Sequence, residues 1–168
     1  MTAPLRVRRY RWSDLDEVWA MHQAGLAQVG LTPGDGIYYD DDFPRIQEVY
    51  LDDRGEFLVG EVPGGRLAAM GALRRVDDET AEMCRLRVHP DFQRRGYGAL
   101  ILETLEERAR ELGYSVLCAD TTLQQSAAVA LYRKYGWREL RREERGVSVV
   151  LYVEKVLTSA RSSLFPPK

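Results

Sequence analysis

The chain has 168 residues, 45% of them hydrophobic and 30% charged, with a formal net charge of −2. That length can bury a core in one domain, no apolar run reaches the roughly 18 residues of a membrane span, and the slight acidity argues against general nucleic-acid binding. Two cysteines and two histidines leave almost nothing from which to build a zinc site or a Ser-His-Asp triad.

Leu5 to Tyr10 alternates weakly and predicts a first strand. Ser13-Asp14, followed by Leu15, Val18, Trp19 and His22, predicts a capped amphipathic helix to about Val29. Gly30 to Gly36 breaks it, and a second helix is expected after Tyr38–Pro44, with Ile46, Val49 and Tyr50 on its apolar face. Strands are expected at Glu56–Val62 and Arg66–Val76 around the turn Pro63-Gly64-Gly65, then at Thr80–Val88 after Asp77-Asp78-Glu79. Leu100 to Leu112, with Ile101, Leu105, Ala109 and Leu112 three or four apart, predicts a helix that Gly113 ends. Ser115–Thr121 is a further strand, Ser126 caps a helix through Tyr135, and Trp137–Leu140 with Val147–Val156 forms a closing hairpin around the charged segment 141–146. The order β-α-α-β-β-β-α-β-α-β-β is an α+β layout with a mixed sheet. Residues 1–157 are expected to form one domain and 158–168 a flexible C-terminal tail.

The chain is organised around His89-Pro90-Asp91-Phe92-Gln93-Arg94-Arg95-Gly96-Tyr97-Gly98-Ala99, between a strand and a helix. The first N–H groups of a helix lack internal partners, and the helix dipole adds partial positive charge there. Gly96 and Gly98 carry no Cβ to hold a phosphate off the backbone, and Arg94 and Arg95 add charge. The stretch is a candidate pyrophosphate cradle. It is not a dinucleotide fingerprint, since Ile101 stands where the third glycine belongs, nor a Walker loop, which needs Gly-Lys-Ser/Thr. The bland alternative is an ordinary strand-to-helix connection with solvated arginines.

Arg87 to Gly98 resembles the acetyl-coenzyme A motif of the GNAT superfamily of N-acetyltransferases, Q/R-x-x-G-x-G/A, and Gln125-Ser126-Ala127-Ala128-Val129-Ala130-Leu131-Tyr132-Arg133-Lys134-Tyr135-Gly136-Trp137 resembles its N-x-x-A-x-x-L-Y-x-x-x-G-F pattern. The resemblance runs from about Glu82 to Leu140. It implies a GNAT-like, mostly antiparallel mixed sheet flanked by helices, with acetyl-CoA as cosubstrate and no metal. It implies transfer of acetyl to a primary amine of a small molecule or peptide; a noncatalytic acyl-CoA-binding or sensing module is the alternative. Matched residue by residue, the donor would be held by the backbone of Leu86, Arg87 and Val88, by the cradle of Gln93, Arg94, Arg95, Gly96, Tyr97, Gly98 and Ala99, and by Gln125, which replaces the family's usual asparagine. Tyr132 matches the general acid. Glu82 matches a general base that acts through water, with Glu79 and Asp120 as rivals.

Between the first helix and the second strand, acidic residues (Asp35, Asp40, Asp41, Asp42, Glu48, Asp52, Asp53, Glu56 and Glu61) far outnumber Arg45 and Arg54, with Tyr38 and Tyr39 nearby. A cationic amine acceptor would suit such a mouth; a merely solvated acidic surface is the bland alternative. Cys84 and Cys118 are expected to be free, buried thiols. Met1 to Leu5 lacks the apolar core of a signal peptide, so the expectation is a cytoplasmic protein without membrane or nucleic-acid partners. A homodimer is left open.

Overall fold

The computed structural model describes residues 4–32 and 41–157. The expected tail, and Asp35, Tyr38, Tyr39 and Asp40 of the expected acidic mouth, lie outside them. Seven strands, β1 (Arg6–Arg9), β2 (Glu56–Glu61), β3 (Leu67–Arg75), β4 (Thr80–Val88), β5 (Val116–Thr122), β6 (Arg138–Arg145) and β7 (Ser148–Val156), form one sheet in the order β1-β2-β3-β4-β5-β7-β6. All neighbours are antiparallel except β4 and β5. Three α-helices, α1 (Leu15–Gln28), α2 (Tyr97–Glu111) and α3 (Ser126–Lys134), flank it.

The sheet is covered on both faces where its strands are most apolar. Val18 and Met21 of α1, with Phe43, Ile46 and Tyr50, pack on Phe57, Val59, Met70 and Ala72. On the opposite face Ile101, Leu102, Leu105 and Ala109 of α2 pack with Leu58, Leu73, Ala81, Met83 and Leu117. Each large apolar side chain among them contributes about 1.5–3 kcal/mol of burial. Gly71 lets α2 lie close on β3: a Cβ there would stand 2.7 Å from Ile101 Cγ2 and 2.8 Å from Leu105 Cδ1.

Four local expectations need correction, one of them the cap at Ser126, which lies inside α3 after the N-cap residue Gln125. The second helix is only a 3-10 turn (Phe43–Arg45) followed by a π-helical turn (Gln47–Leu51). The apolar spacing is helical, but the segment is short for a helix, and its buried Tyr50 hydroxyl donates to Asp42. The charged segment 141–146 is not a loop; most of it belongs to β6, the edge strand, where charge on both faces guards against pairing with other chains. Asp14 does not cap α1 through its side chain; its carboxylate accepts the Arg11 N–H at 2.9 Å and pairs with Arg8.

Two irregularities of β4 open a slot in the sheet. Between Ala72↔Cys84 and Met70↔Arg87, β4 spends three steps where β3 spends two, a bulge that includes Arg85 at φ 56°. The parallel β4–β5 pairing ends at Glu82↔Cys118, whereas β5 stays paired to β7 as far as Thr122↔Val150. Leu86, Arg87 and Val88 therefore run beside β5 without pairing to it, and the slot lies between the two strands.

Candidate active site

The slot opens into a cleft of about 390 Å³ lined by residues from β4, β5, α3, the 41–51 segment and the β6 end. Glu82, Leu86, Arg87, Gln125 and Tyr132, spread over 50 residues of sequence, all line it.

Tyr132 arrives there because Ala128 and Tyr132, four apart on α3, share the face turned to the cleft. The residue is 4% exposed, and its ring packs on Trp137 at a 53° tilt with centroids 4.8 Å apart. Trp137 is itself fixed, since its Nε1 donates to Glu106 at 3.0 Å, and Lys155 Nζ reaches the other Glu106 oxygen at 2.6 Å. Tyr135 points elsewhere: its hydroxyl donates to Glu103.

Glu82 is engaged by Arg74, whose Nη2 and Nε donate to Oε1 at 2.7 and 3.1 Å. The Asp120 side chain, also in the lining, makes no hydrogen bond or ion pair with a described residue. Burial, and then the negative charge of Glu82, hold its carboxyl above the usual carboxylate range despite Arg145, Arg74 and Arg85. Glu79 is exposed and outside the lining. Cys84 and Cys118 are free; burial pushes their thiols up to about 12 and about 11, the wrong direction for a nucleophile.

Three of the groups that tie this cleft together, His22, Asp42 and Arg85, lie outside both motifs. Arg85 donates to Asp42 at 2.6 and 3.0 Å and lies 4.8 Å over the Phe43 ring, anchoring the 41–51 segment to the β4 bulge. Arg87 donates from Nε to His22 Nδ1 and from Nη1 to Gln125 Oε1, both at 3.1 Å; Gln125 Nε2 donates in turn to Thr122 Oγ1 at 3.1 Å. His22 is fully buried, and burial together with the Arg87 and Arg85 charges lowers its pKa to about 3 against a smaller opposing effect of Asp42. It is therefore a neutral imidazole, able to accept from Arg87. Its place on the inner face of α1 is the only hint that the sequence offers. The described lining carries four carboxylates (Asp41, Asp42, Glu82, Asp120) and five guanidiniums (Arg45, Arg74, Arg85, Arg87, Arg145).

The remaining donor residues stand at the other end of β4. Gly96 at φ 81° is the N-cap residue of α2 and makes no side-chain cap, so the first-turn amides are left to other partners. Gln93, Arg94 and Arg95 are exposed, Arg94 at φ 64°. Tyr97 is buried in the core and can offer a ligand only its backbone. Gly98 lets α2 meet β4, its absent Cβ falling 3.3 Å from Val88 Cγ2, and Ala99 is half-buried beside it. Gln93 is tied to Gln28 and donates to the Val88 carbonyl at 3.3 Å. Cradle, slot and cleft follow one another along β4. Uncapped amides with arginines, then an unpaired strand edge, then a polar cleft suit a long donor with a charged head and a reactive far end. Among the described residues no cluster of three or more His, Cys, Asp or Glu is placed to hold a metal, and no helix is long and apolar enough to cross a membrane.

Residues 16–137 match the model of the acetyltransferase (GNAT) family. The chain is 30% identical over 99 residues to the [ribosomal protein bS18]-alanine N-acetyltransferase of Escherichia coli K12; the match covers 58% of this chain and 66% of that protein, just under two thirds of its length. Among solved structures, a GNAT-family acetyltransferase of Staphylococcus aureus superposes with a TM-score of 0.81 at 17% identity, covering 92% of this chain and all of that one. The yncA acetyltransferase of Salmonella typhimurium, solved with its cofactor acetyl-CoA, superposes with a TM-score of 0.76 at 19% identity, covering 92% and 94%.

Proposed function

The chain belongs to the GNAT acetyltransferase family, and from that premise we propose that it is an N-acetyltransferase, moving an acetyl group from acetyl-CoA to a primary amine. The observation that carries this proposal is the convergence of Tyr132, Gln125, Glu82 and Asp120 on one cleft at the end of the β4–β5 slot. The α2 N-terminus from Gln93 to Ala99 receives the pyrophosphate, and the backbone of Leu86, Arg87 and Val88, on the side where β5 does not pair with it, lies along the arm that follows.

The thioester supplies an activated acetyl group; the chain's own residues manage the protons. As the amine nitrogen bonds to the acetyl carbon and the carbon–sulfur bond breaks, one proton must leave nitrogen and one must reach sulfur. The Glu82–Asp120 pair takes the first, directly or through water. Asp120 is the accepting carboxylate, and Glu82, held by Arg74, keeps its proton affinity high. Tyr132 gives the second from its hydroxyl. A phenol of pKa about 10 protonates a thiolate of conjugate pKa near 8.5 slightly uphill, so placement at the sulfur has to assist.

For the acceptor, the mixed lining favours an amine with an anionic or amide neighbour over a polyamine, which would require several unpaired carboxylates. Asp42 and Glu82 are already neutralised by Arg85 and Arg74. The bS18-alanine enzyme among its relatives adds weight to a peptide N-terminus. The test is thiol release with mass detection of product, across peptides with free N-termini, free amino acids, polyamines and aminoglycosides. Product from a peptide or amino acid supports this proposal. Tight acetyl-CoA binding without product from any amine would favour the noncatalytic module, which no observation recommends, and failure to bind acetyl-CoA would sink both.

A further inference from the structure

We propose that His22, Arg87 and Gln125 form a clasp across the β4–β5 slot that holds the pantetheine arm of the donor in register. This rests on the acetyl-CoA proposal above. Gln125 belongs to the turn after β5, Arg87 to β4 and His22 to α1, so the two 3.1 Å bonds of Arg87 join three elements over a stretch where β4 and β5 have ceased to pair. A ligand lying in the slot has the β4 and β5 backbones at its sides and this bridge over one face.

Each partner suits its place. A guanidinium has donors on separate nitrogens in one plane, so it can span two acceptors where a lysine ammonium would act as a point. His22 must accept at Nδ1, which only the neutral ring can do, and burial keeps it neutral. Gln125 is one methylene longer than asparagine, and its carbonyl reaches Arg87 while its amide nitrogen holds Thr122 Oγ1. Gly25 provides the room: a Cβ there would lie 2.9 Å from Arg87 Cδ and 3.1 Å from Nη1. The departure from the usual asparagine and the glycine within α1 thus have one physical explanation.

That glycine offers a test that removes no polar group. Gly25 has an ordinary helical backbone, so Gly25→Ala favours the helix; the added methyl displaces the flexible Arg87 side chain. Affinities for acetyl-CoA and for adenosine 3′,5′-bisphosphate, a head group without the arm, are measured by calorimetry on wild type, Gly25→Ala, Arg87→Lys and Gln125→Asn, with melting temperatures alongside. The clasp requires all three variants to lose acetyl-CoA affinity by about 10-fold, the worth of a charge-assisted hydrogen bond, while bisphosphate affinity stays within about twofold and Gly25→Ala melts no lower than wild type. Equal losses for both ligands would make the hydrogen-bonded chain a general scaffold and overturn the proposal, as would unchanged acetyl-CoA affinity in all three variants. Wild type that binds the bisphosphate but gains nothing from the arm also overturns it. Wild type that binds neither ligand removes the acetyl-CoA proposal itself.

Discussion

Arg74 and Glu82 face each other across the β3–β4 pair with Nη2 and Oε1 2.7 Å apart, and this bond leaves Asp120 as a half-buried cleft carboxylate without a protein partner among the described residues. A base must be deprotonated to act, and the Asp120 carboxyl is held above its usual range by burial and by Glu82. kcat/KM should therefore rise with pH through a pKa above that of an ordinary carboxylate. Asp120→Asn should cost about 10²- to 10⁴-fold in turnover. Glu82→Gln removes a negative neighbour, so Asp120 ionises more easily and the acidic limb should move to lower pH. A limb that stays in place in Glu82→Gln, with Asp120→Asn fully active, would assign the base elsewhere.

His22 ties the pH dependence of folding to the clasp. Its folded pKa is lowered to about 3 from an ordinary value of 6.5. Between those values the unfolded chain binds the extra proton, so this group's stabilising contribution is complete above about pH 6.5 and is lost as pH falls toward 3. The slope approaches ~1.4 kcal/mol per pH unit. Urea denaturation between pH 4 and 7 should show a shallower acid loss for His22→Gln than for wild type. Identical slopes would mean that His22 titrates alike in both states.

Gly98→Glu places a carboxylate and a Cβ where α2 meets β4, beside the amides that receive pyrophosphate. Donor affinity should fall about 10-fold or more through repulsion and blocked approach. Calorimetry on a folded variant with unchanged acetyl-CoA affinity would rule out this end of α2 as the cradle.

Gly71→Ala tests the packing that sets α2 on the sheet. A methyl at 2.7 and 2.8 Å from the Ile101 and Leu105 side chains must displace those side chains or the helix that carries them. The expected loss is about 1–3 kcal/mol in chemical denaturation. No loss would show that this close approach of α2 to β3 is not a tight constraint.

Much of the fold is legible in local pattern. The period of Ile101, Leu105 and Ala109 marks the face of α2 that is fully buried, and Gly113 and Gly136 end their helices at φ 91° and 80°. The two motifs likewise mark the elements that meet at the slot. Effects of partners distant in sequence are not legible in this way. Arg85 carries no turn signal, yet it takes a left-handed conformation in a bulge and pairs with Asp42, 43 residues away. The same pairing shows what composition leaves out of a charged mouth, since it counts charges without showing which are neutralised. His22 and Arg87 are 65 residues apart; nothing local in either element announces their bond. The 43–51 segment shows the limit of periodicity, where helical spacing over only nine residues forms only turns.

The most direct test of acid-assisted acetyl transfer in this cleft is the single-turnover rate of Tyr132→Phe with acetyl-CoA and an accepted amine, measured by rapid quench so that product release cannot mask chemistry. The substitution keeps the ring that packs on Trp137 and deletes only the hydroxyl. The rate should fall roughly 10- to 1,000-fold, with donor affinity and melting temperature little changed, while Tyr135→Phe, whose hydroxyl serves Glu103 outside the cleft, stays close to wild type. A Tyr132→Phe enzyme that turns over at the wild-type single-turnover rate would contradict this mechanism and leave Tyr132 a packing residue.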